Sequence, residues 1–105
     1  MAMYGLFGNM RAHPGKRDAL LEHMLHAAEL LRDLEGCYHY VIGSDPQDPD
    51  GIWISEVWRS REDHRASLTL DAVRQSITVA RPLIADMPQH FEYTPLGGKG
   101  LPDSV

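Results

Sequence analysis

Histidine, tryptophan and a few isolated polar residues carry most of the chemistry available to this chain. Histidine titrates near neutral pH, and two of the six histidines sit where a proton acceptor would be useful. His64 follows the charged run Arg61-Glu62-Asp63, and His39 lies between Tyr38 and Tyr40 in an aromatic run. His64 reads either as a solvated helix residue or as a proton-transfer group, and His39 either as a hydrogen-bonded core residue or as a pocket base. Trp58 suits a core and suits equally the wall of a ligand cavity. Asn9 interrupts an apolar stretch, so its amide needs partners if buried, either as a pocket group or as a strand-end cap. Arg74 reads as a helix-surface charge or as an anion-binding group.

Metal binding is not expected. His23 and His26, three apart on one helix, find no third ligand. The run Asp45, Asp48, Asp50 lacks the glycine and glutamate that a calcium loop needs at its sixth and twelfth places.

The elements that must position these groups follow from the apolar pattern. Residues 3–12 read as a first strand closed by the turn His13-Pro14-Gly15. From Lys16 to Leu34 the residues Leu20, Leu21, Met24, Ala27, Ala28, Leu31 and Leu34 form the stripe of an amphipathic helix ending at Gly36. Residues 37–43 and 51–59 read as two strands. The turn formers from Ser44 to Gly51 join them into an antiparallel hairpin. Ser60 is a good N-cap for a short helix through Leu68, with Glu62 and Asp63 in its first turn. A further helix shows Leu70, Val73, Ile77, Ala80 and Ile84 on one face, with Pro82 kinking or ending it. Residues 89–96 read as the last strand, before the Gly-rich segment 97–100. The fold class is therefore α+β: a ferredoxin-like βαββααβ order with a four-stranded antiparallel sheet.

The third strand carries Ile52, Ile54 and Trp58 on one face and Trp53 and Val57 on the other. Helices cover only one side of such a sheet, so the other is expected to pack on the sheet of a second copy. The expected assembly is a homodimer with sheet-to-sheet packing, a dimeric α/β barrel, with Trp53 in the interface.

Bulk properties agree. With 105 residues and 43% hydrophobic content, the chain supports one core and one domain, residues 1–105, of which 96–105 form an extended tail. A protomer of this size buries only about 60 to 70% of its unfolded surface, so dimerisation would add burial. The net charge of −5 argues against a nucleic-acid partner. The single cysteine, Cys37, leaves no internal disulfide and fits a reducing cytoplasm. Residues 1–10 lack a signal peptide pattern and no long apolar run is present, so a soluble cytoplasmic protein with no membrane segment is expected.

Three local features, in order, resemble the antibiotic biosynthesis monooxygenase family. They are Pro14-Gly15-Lys16-Arg17-Asp18 at the head of the long helix, Glu35-Gly36-Cys37-Tyr38 entering the hairpin, and Glu56-Val57-Trp58-Arg59-Ser60 leading into the short helix. The resemblance covers nearly the whole chain. It implies a cavity between sheet and helices for a flat aromatic or quinol-like molecule. It also implies oxidation by O2 with no metal, flavin or other cofactor, because a deprotonated electron-rich ring can itself pass an electron to oxygen.

Polyketide-oxidising members carry a Trp at the end of the third strand and a Tyr six residues later, where this chain has Trp58 and His64. An imidazole in place of the phenol preserves proton transfer. Their Arg in the following helix is matched by Arg74 across a short gap, while Ile54 replaces their Asn. Haem-degrading relatives rely on an Asn, a Trp and a His. Asn9 fits the first, but Ser67 and Ile77 stand at the other places, which argues against haem degradation.

The leading expectation is a cofactor-independent monooxygenase acting with O2 on a small phenolic, quinol or polyketide-like aromatic. Trp58 would stack on the substrate, His64 or His39 would move the proton, Arg74 or Asn9 would hold an oxyanion, and Tyr40 would complete the substrate-binding wall. Two alternatives are a cofactor-free isomerase of a small dicarbonyl metabolite and a non-catalytic dimer that binds a small molecule.

Overall fold

The computed structural model describes residues 2–102. Its elements run β1 (Tyr4–Ala12), α1 (Arg17–Leu30), β2 (Cys37–Ser44), β3 (Gly51–Trp58), α2 (Arg61–Ser67), α3 (Asp71–Ala80), a single 3-10 turn (Arg81–Leu83) and β4 (Ile84–Tyr93). The four strands form one antiparallel sheet in the order β2-β3-β1-β4. This is the expected ferredoxin-like α+β fold.

Local chemistry sets each boundary. Gly15 takes φ +78°, the left-handed region where a side chain would be strained, and so turns the chain from β1 into α1. The hairpin loop is tied by its own aspartates. Asp45 Oδ1 accepts from the Gln47 N–H at 2.8 Å, and Asp48 Oδ1 from the Asp50 N–H at 2.9 Å. The Trp53 indole also donates to Asp45 Oδ2 at 3.1 Å, which gives this acidic run a structural role.

Two boundaries differ from expectation. Helix α1 ends at Leu30 rather than Leu34, because the Leu31 N–H is shared between the carbonyls of Ala27 and Ala28 and the next residues tighten into turns. Leu31 and Leu34 still pack beside Trp58, so the stripe survives the change of backbone. The last strand begins at Ile84 rather than Gln89 and ends at Tyr93 rather than Leu96. Pro82 stops the helix, and a 3-10 turn redirects the chain so that Ile84 pairs with Ala12 of β1. The His13 N–H closes this corner on the Leu83 carbonyl at 3.0 Å.

The register separates the two faces of the sheet. Leu6, Met10 and Ala12 of β1 and Ile52, Ile54, Glu56 and Trp58 of β3 share the face under the helices. There Met10, Leu20 and Ile52 form one core cluster and Leu31, Trp58 and Val73 another. Fully burying a side chain such as Leu20 or Ile52 contributes about 1.5 to 3 kcal/mol. The opposite face carries Phe7, Val41, Trp53, Phe91 and Tyr93. Phe7 and Trp53 stack there with ring centroids 5.2 Å apart. No helix among the described residues is long and apolar enough to cross a membrane. Residues 96–102 of the expected tail carry no helix or strand, and its last three residues lie outside the described ones.

Candidate functional site

Between the sheet and the helices lies a cavity of about 410 Å³. Its floor is the helix-side row of the sheet, with Met10, Tyr40, Glu56 and Trp58, and its walls come from α1 (His23, Met24, Ala27) and α3 (Val73, Ser76, Ile77). His64 and Ser67 of α2 close one end, and Arg81, Ile84 and Met87 stand at another part of the lining. Most of this surface is apolar, with a few polar atoms converging on it, the usual composition of a site for a small organic ligand.

Glu56, Trp58 and His64 form the polar focus. Alternation along β3 puts Glu56 and Trp58 on the same face, and the Trp58 Nε1–H donates to Glu56 Oε1 at 2.9 Å. Helix α2 supplies His64. Its N-terminus is fixed by Ser60, whose Oγ accepts from the Asp63 N–H at 3.1 Å and donates to Asp63 Oδ2 at 2.9 Å. Arg59 holds the same carboxylate at 2.8 Å. One residue further on, the His64 ring sits between Tyr4 and Trp58, 5.4 Å from each ring centroid, with Nε2 3.8 Å from Glu56 Oε1. Arg61 lies over the other partner, 5.2 Å from the centre of the Tyr4 ring, and pairs with Glu92 at 2.8 Å.

Burial shapes the proton affinities. It pushes the Glu56 carboxyl above its ordinary value, against the opposing pull of the Trp58 hydrogen bond. It pushes His64 below the ordinary histidine value, although the Glu92 carboxylate acts in the opposite sense. Both groups are thereby biased toward their neutral forms. The Tyr40 hydroxyl is raised strongly by burial and secondarily by Glu56.

The expected site residues divide between the two faces. Trp58, His64 and Tyr40 line the same cavity. His39 does not join them: it pairs with Val57 on the opposite face of the sheet, where its Nε2 lies 3.2 Å from Ser55 Oγ. Asn9 also faces away. Its Oδ1 accepts from the Gln89 N–H at 2.9 Å, beside the point where the β1–β4 register shifts, so it supplies an acceptor where the ladder breaks. Arg74 is exposed on α3, and among the described residues it is Arg81 that brings a guanidinium to the cavity lining.

Three polar lining residues were not singled out from the sequence: Glu56, Arg81 and Ser76. For Glu56 a signal was present, since a carboxylate alternates with Ile54 and Trp58 on an otherwise apolar row. Arg81 could not be placed without knowing that the chain turns at Pro82.

The fold is a ferredoxin-like α+β domain with a largely apolar cavity beside a carboxyl–imidazole–indole cluster. The chain belongs to the antibiotic biosynthesis monooxygenase family, whose model matches residues 3–79. A candidate antibiotic biosynthesis monooxygenase from Chloroflexus aurantiacus is 50% identical, with a TM-score of 0.89 covering 96% of this chain and all of that one (100%). A second candidate of this kind, from Deinococcus radiodurans, shares the fold at 23% identity, with a TM-score of 0.77 over 90% of this chain and 94% of that one. Among curated proteins, a candidate heme-binding protein from Natronomonas pharaonis is 27% identical over 86 residues, or 82% of this chain. The chain spans 14% of the length of that relative.

Proposed function

We propose that this protein is a cofactor-independent monooxygenase that oxidises a small phenolic, quinol or polyketide-like aromatic with O2. The observation that carries this reading is the cavity itself: a largely apolar space whose floor is Trp58 and whose polar groups are proton acceptors and donors. Family membership and the Chloroflexus relative support the reaction class.

In this reading the substrate lies against Trp58, the cluster containing His64 removes its proton, and Arg81 steadies the anion that remains. The electron-rich anion passes one electron to O2. The resulting radicals combine into a C–O bond, and the hydroperoxide loses water to leave a carbonyl. The balance is a CH2 group plus O2 giving C=O plus H2O. The protein binds the anion, excludes bulk water and handles the protons.

Haem chemistry is not part of the proposal. The cavity wall carries Ser67 and Ile77 where haem-degrading members have Trp and His. A second reading, an isomerase of a small dicarbonyl, draws on the same observation, because Glu56 and His64 could shuttle a proton without oxygen.

We further propose that two protomers pair through the helix-free face. Phe7 is 43% exposed, Val41 50% and Phe91 53% in the single chain, an apolar area that a second copy would cover.

Oxygen uptake with a panel of quinols, without added metal or flavin, tests the main reading. Consumption of one O2 per quinol supports it, and no uptake with any of them defeats it. Turnover of a dicarbonyl under anaerobic conditions would favour the isomerase instead.

A further inference from the structure

We infer that the Glu56 carboxylate is the base of this cavity: it takes the proton from an acidic O–H or C–H of an electron-rich ring and later returns it to the peroxide. The oxygen step of this inference rests on the monooxygenase reading above; the proton abstraction does not.

Four observations converge on Glu56. It is the only carboxylate among the described residues that line the cavity. It lies in the middle of the sheet, paired with Leu6 on β1 and Tyr40 on β2, and its side chain is 15% exposed. Among the described residues no lysine or arginine pairs with it; the Trp58 indole lies at 2.9 Å and His64 at 3.8 Å, Tyr40 pairs with it across the sheet, and the His90 imidazole acts on it from further off. An ionised carboxylate accepts at about four lone-pair sites, and a single indole N–H leaves most of them unused. A buried carboxylate without a cation is costly to a fold, and Gln or Leu would fill the same space at lower cost. The packing therefore gives no reason for a carboxylate here, whereas a reaction that begins by removing a proton does.

The alternative acceptor, His64, is weaker. The same burial that makes Glu56 a stronger base makes the imidazole a poorer one. Its ring is also held between Tyr4 and Trp58. His64 thus stands beside Glu56, with 3.8 Å between its Nε2 and Glu56 Oε1. The Trp58 ring is 1% exposed and packs with Leu31 and Val73, while its N–H fixes one carboxylate oxygen and leaves the other for the reaction.

The proton count closes. The ring C–H or O–H bond breaks and Glu56 becomes a carboxylic acid. After the C–O bond to oxygen forms, the peroxide anion takes the same proton back. Loss of water then gives the carbonyl, and Glu56 ends ionised, ready for another cycle.

Glu56→Gln tests this directly, since the amide oxygen still accepts from Trp58 while the base is gone. Wild-type protein mixed with para-nitrophenol shows the phenolate band at a pH where the free phenol is protonated. E56Q binds the same phenol, measured by quenching of tryptophan fluorescence, and the band is lost. In quinol-dependent oxygen uptake the kcat of E56Q falls by about 10²- to 10⁴-fold with KM little changed, and E56D recovers part of the loss. An E56Q protein that turns over at the wild-type rate overturns the inference. So does a wild-type protein that binds the phenol without ionising it. If no quinol is oxidised by the wild type while the band still depends on Glu56, the monooxygenase reading falls and the base assignment stands.

Discussion

The Trp58 indole donates to a carboxylate two residues before it on the same strand, Nε1 to Glu56 Oε1 at 2.9 Å. This bond stabilises the ionised form of Glu56, and burial opposes it. Trp58→Phe keeps an aromatic ring but removes the donor. The Glu56 pKa is then expected to climb further, and the protein to lose about 1 kcal/mol of stability from the bond alone. Carbon-detected NMR titration of the labelled carboxyl and urea denaturation would read the two effects; a Glu56 pKa unchanged or lower would show that the bond is not formed in solution.

Glu56 and His64 should leave opposite marks on the pH dependence of stability. A carboxyl whose folded pKa is raised favours the fold below its unfolded value, and that contribution disappears as pH rises through the folded pKa. His64, with its folded pKa lowered, favours the fold above its unfolded value, and this is lost as pH falls through the folded pKa. Glu56→Gln should therefore raise Tm relative to wild type on the alkaline side of the carboxylate range and have little effect on the acid side. Thermal melts of both proteins across pH check this, and a gain confined to acid pH would contradict it.

Arg81 and Arg74 separate cavity from surface. Arg81→Ala should weaken binding of an anionic phenol by about tenfold, corresponding to about 1.4 kcal/mol for one charge-assisted contact. Arg74→Ala should leave the affinity unchanged, because that side chain lies on the exposed side of α3. Fluorescence titration of both variants decides, and the reverse ranking would restore Arg74 to the site.

Trp53 lies on the other side of β3, stacked on Phe7. Trp53→Asp places a charge in the proposed sheet-to-sheet contact and is expected to shift the protein to monomer in sedimentation velocity, with the helical circular dichroism retained. A wild-type protein that sediments as a monomer would remove the dimer proposal altogether.

How much of this could be read from the sequence depends on how local the cause was. The order of elements was legible, because turn formers between Ser44 and Gly51, the Ser60 cap and the stripe of α1 each act within a few residues. The start of β4 was not. Ile84 fits a helical face by spacing, and only the long-range pairing with Ala12 shows that the chain has already changed direction. The same distinction governs the site. Trp58 and His64 were found through a resemblance whose spacing is local, whereas His39 and Tyr40 are neighbours on one strand, so only one faces the cavity, and which one depends on the register shift between Cys37 and His39. Arg74 was matched to the family's arginine across a short gap, and Arg81 was not considered, because its place at the cavity depends on the turn at Pro82. Glu56 was visible as an anomaly in an apolar row, but its significance required knowing which face the helices cover.

Strand β3 also determines how this protein can change over evolutionary time. Its even positions, Ile54, Glu56 and Trp58, face the helices, where Glu56 and Trp58 line the cavity, and its odd positions, Trp53 and Val57, face the other side of the sheet. On the proposed site and the proposed dimer, substitutions can therefore retune selectivity without touching self-association, and association without touching selectivity, although the two sets of residues are interleaved one by one. Insertion or deletion of one residue within β3 exchanges the two sets at a stroke. Lineages built on this strand should diversify by replacement at alternate positions, with length changes confined to the Ser44–Gly51 loop.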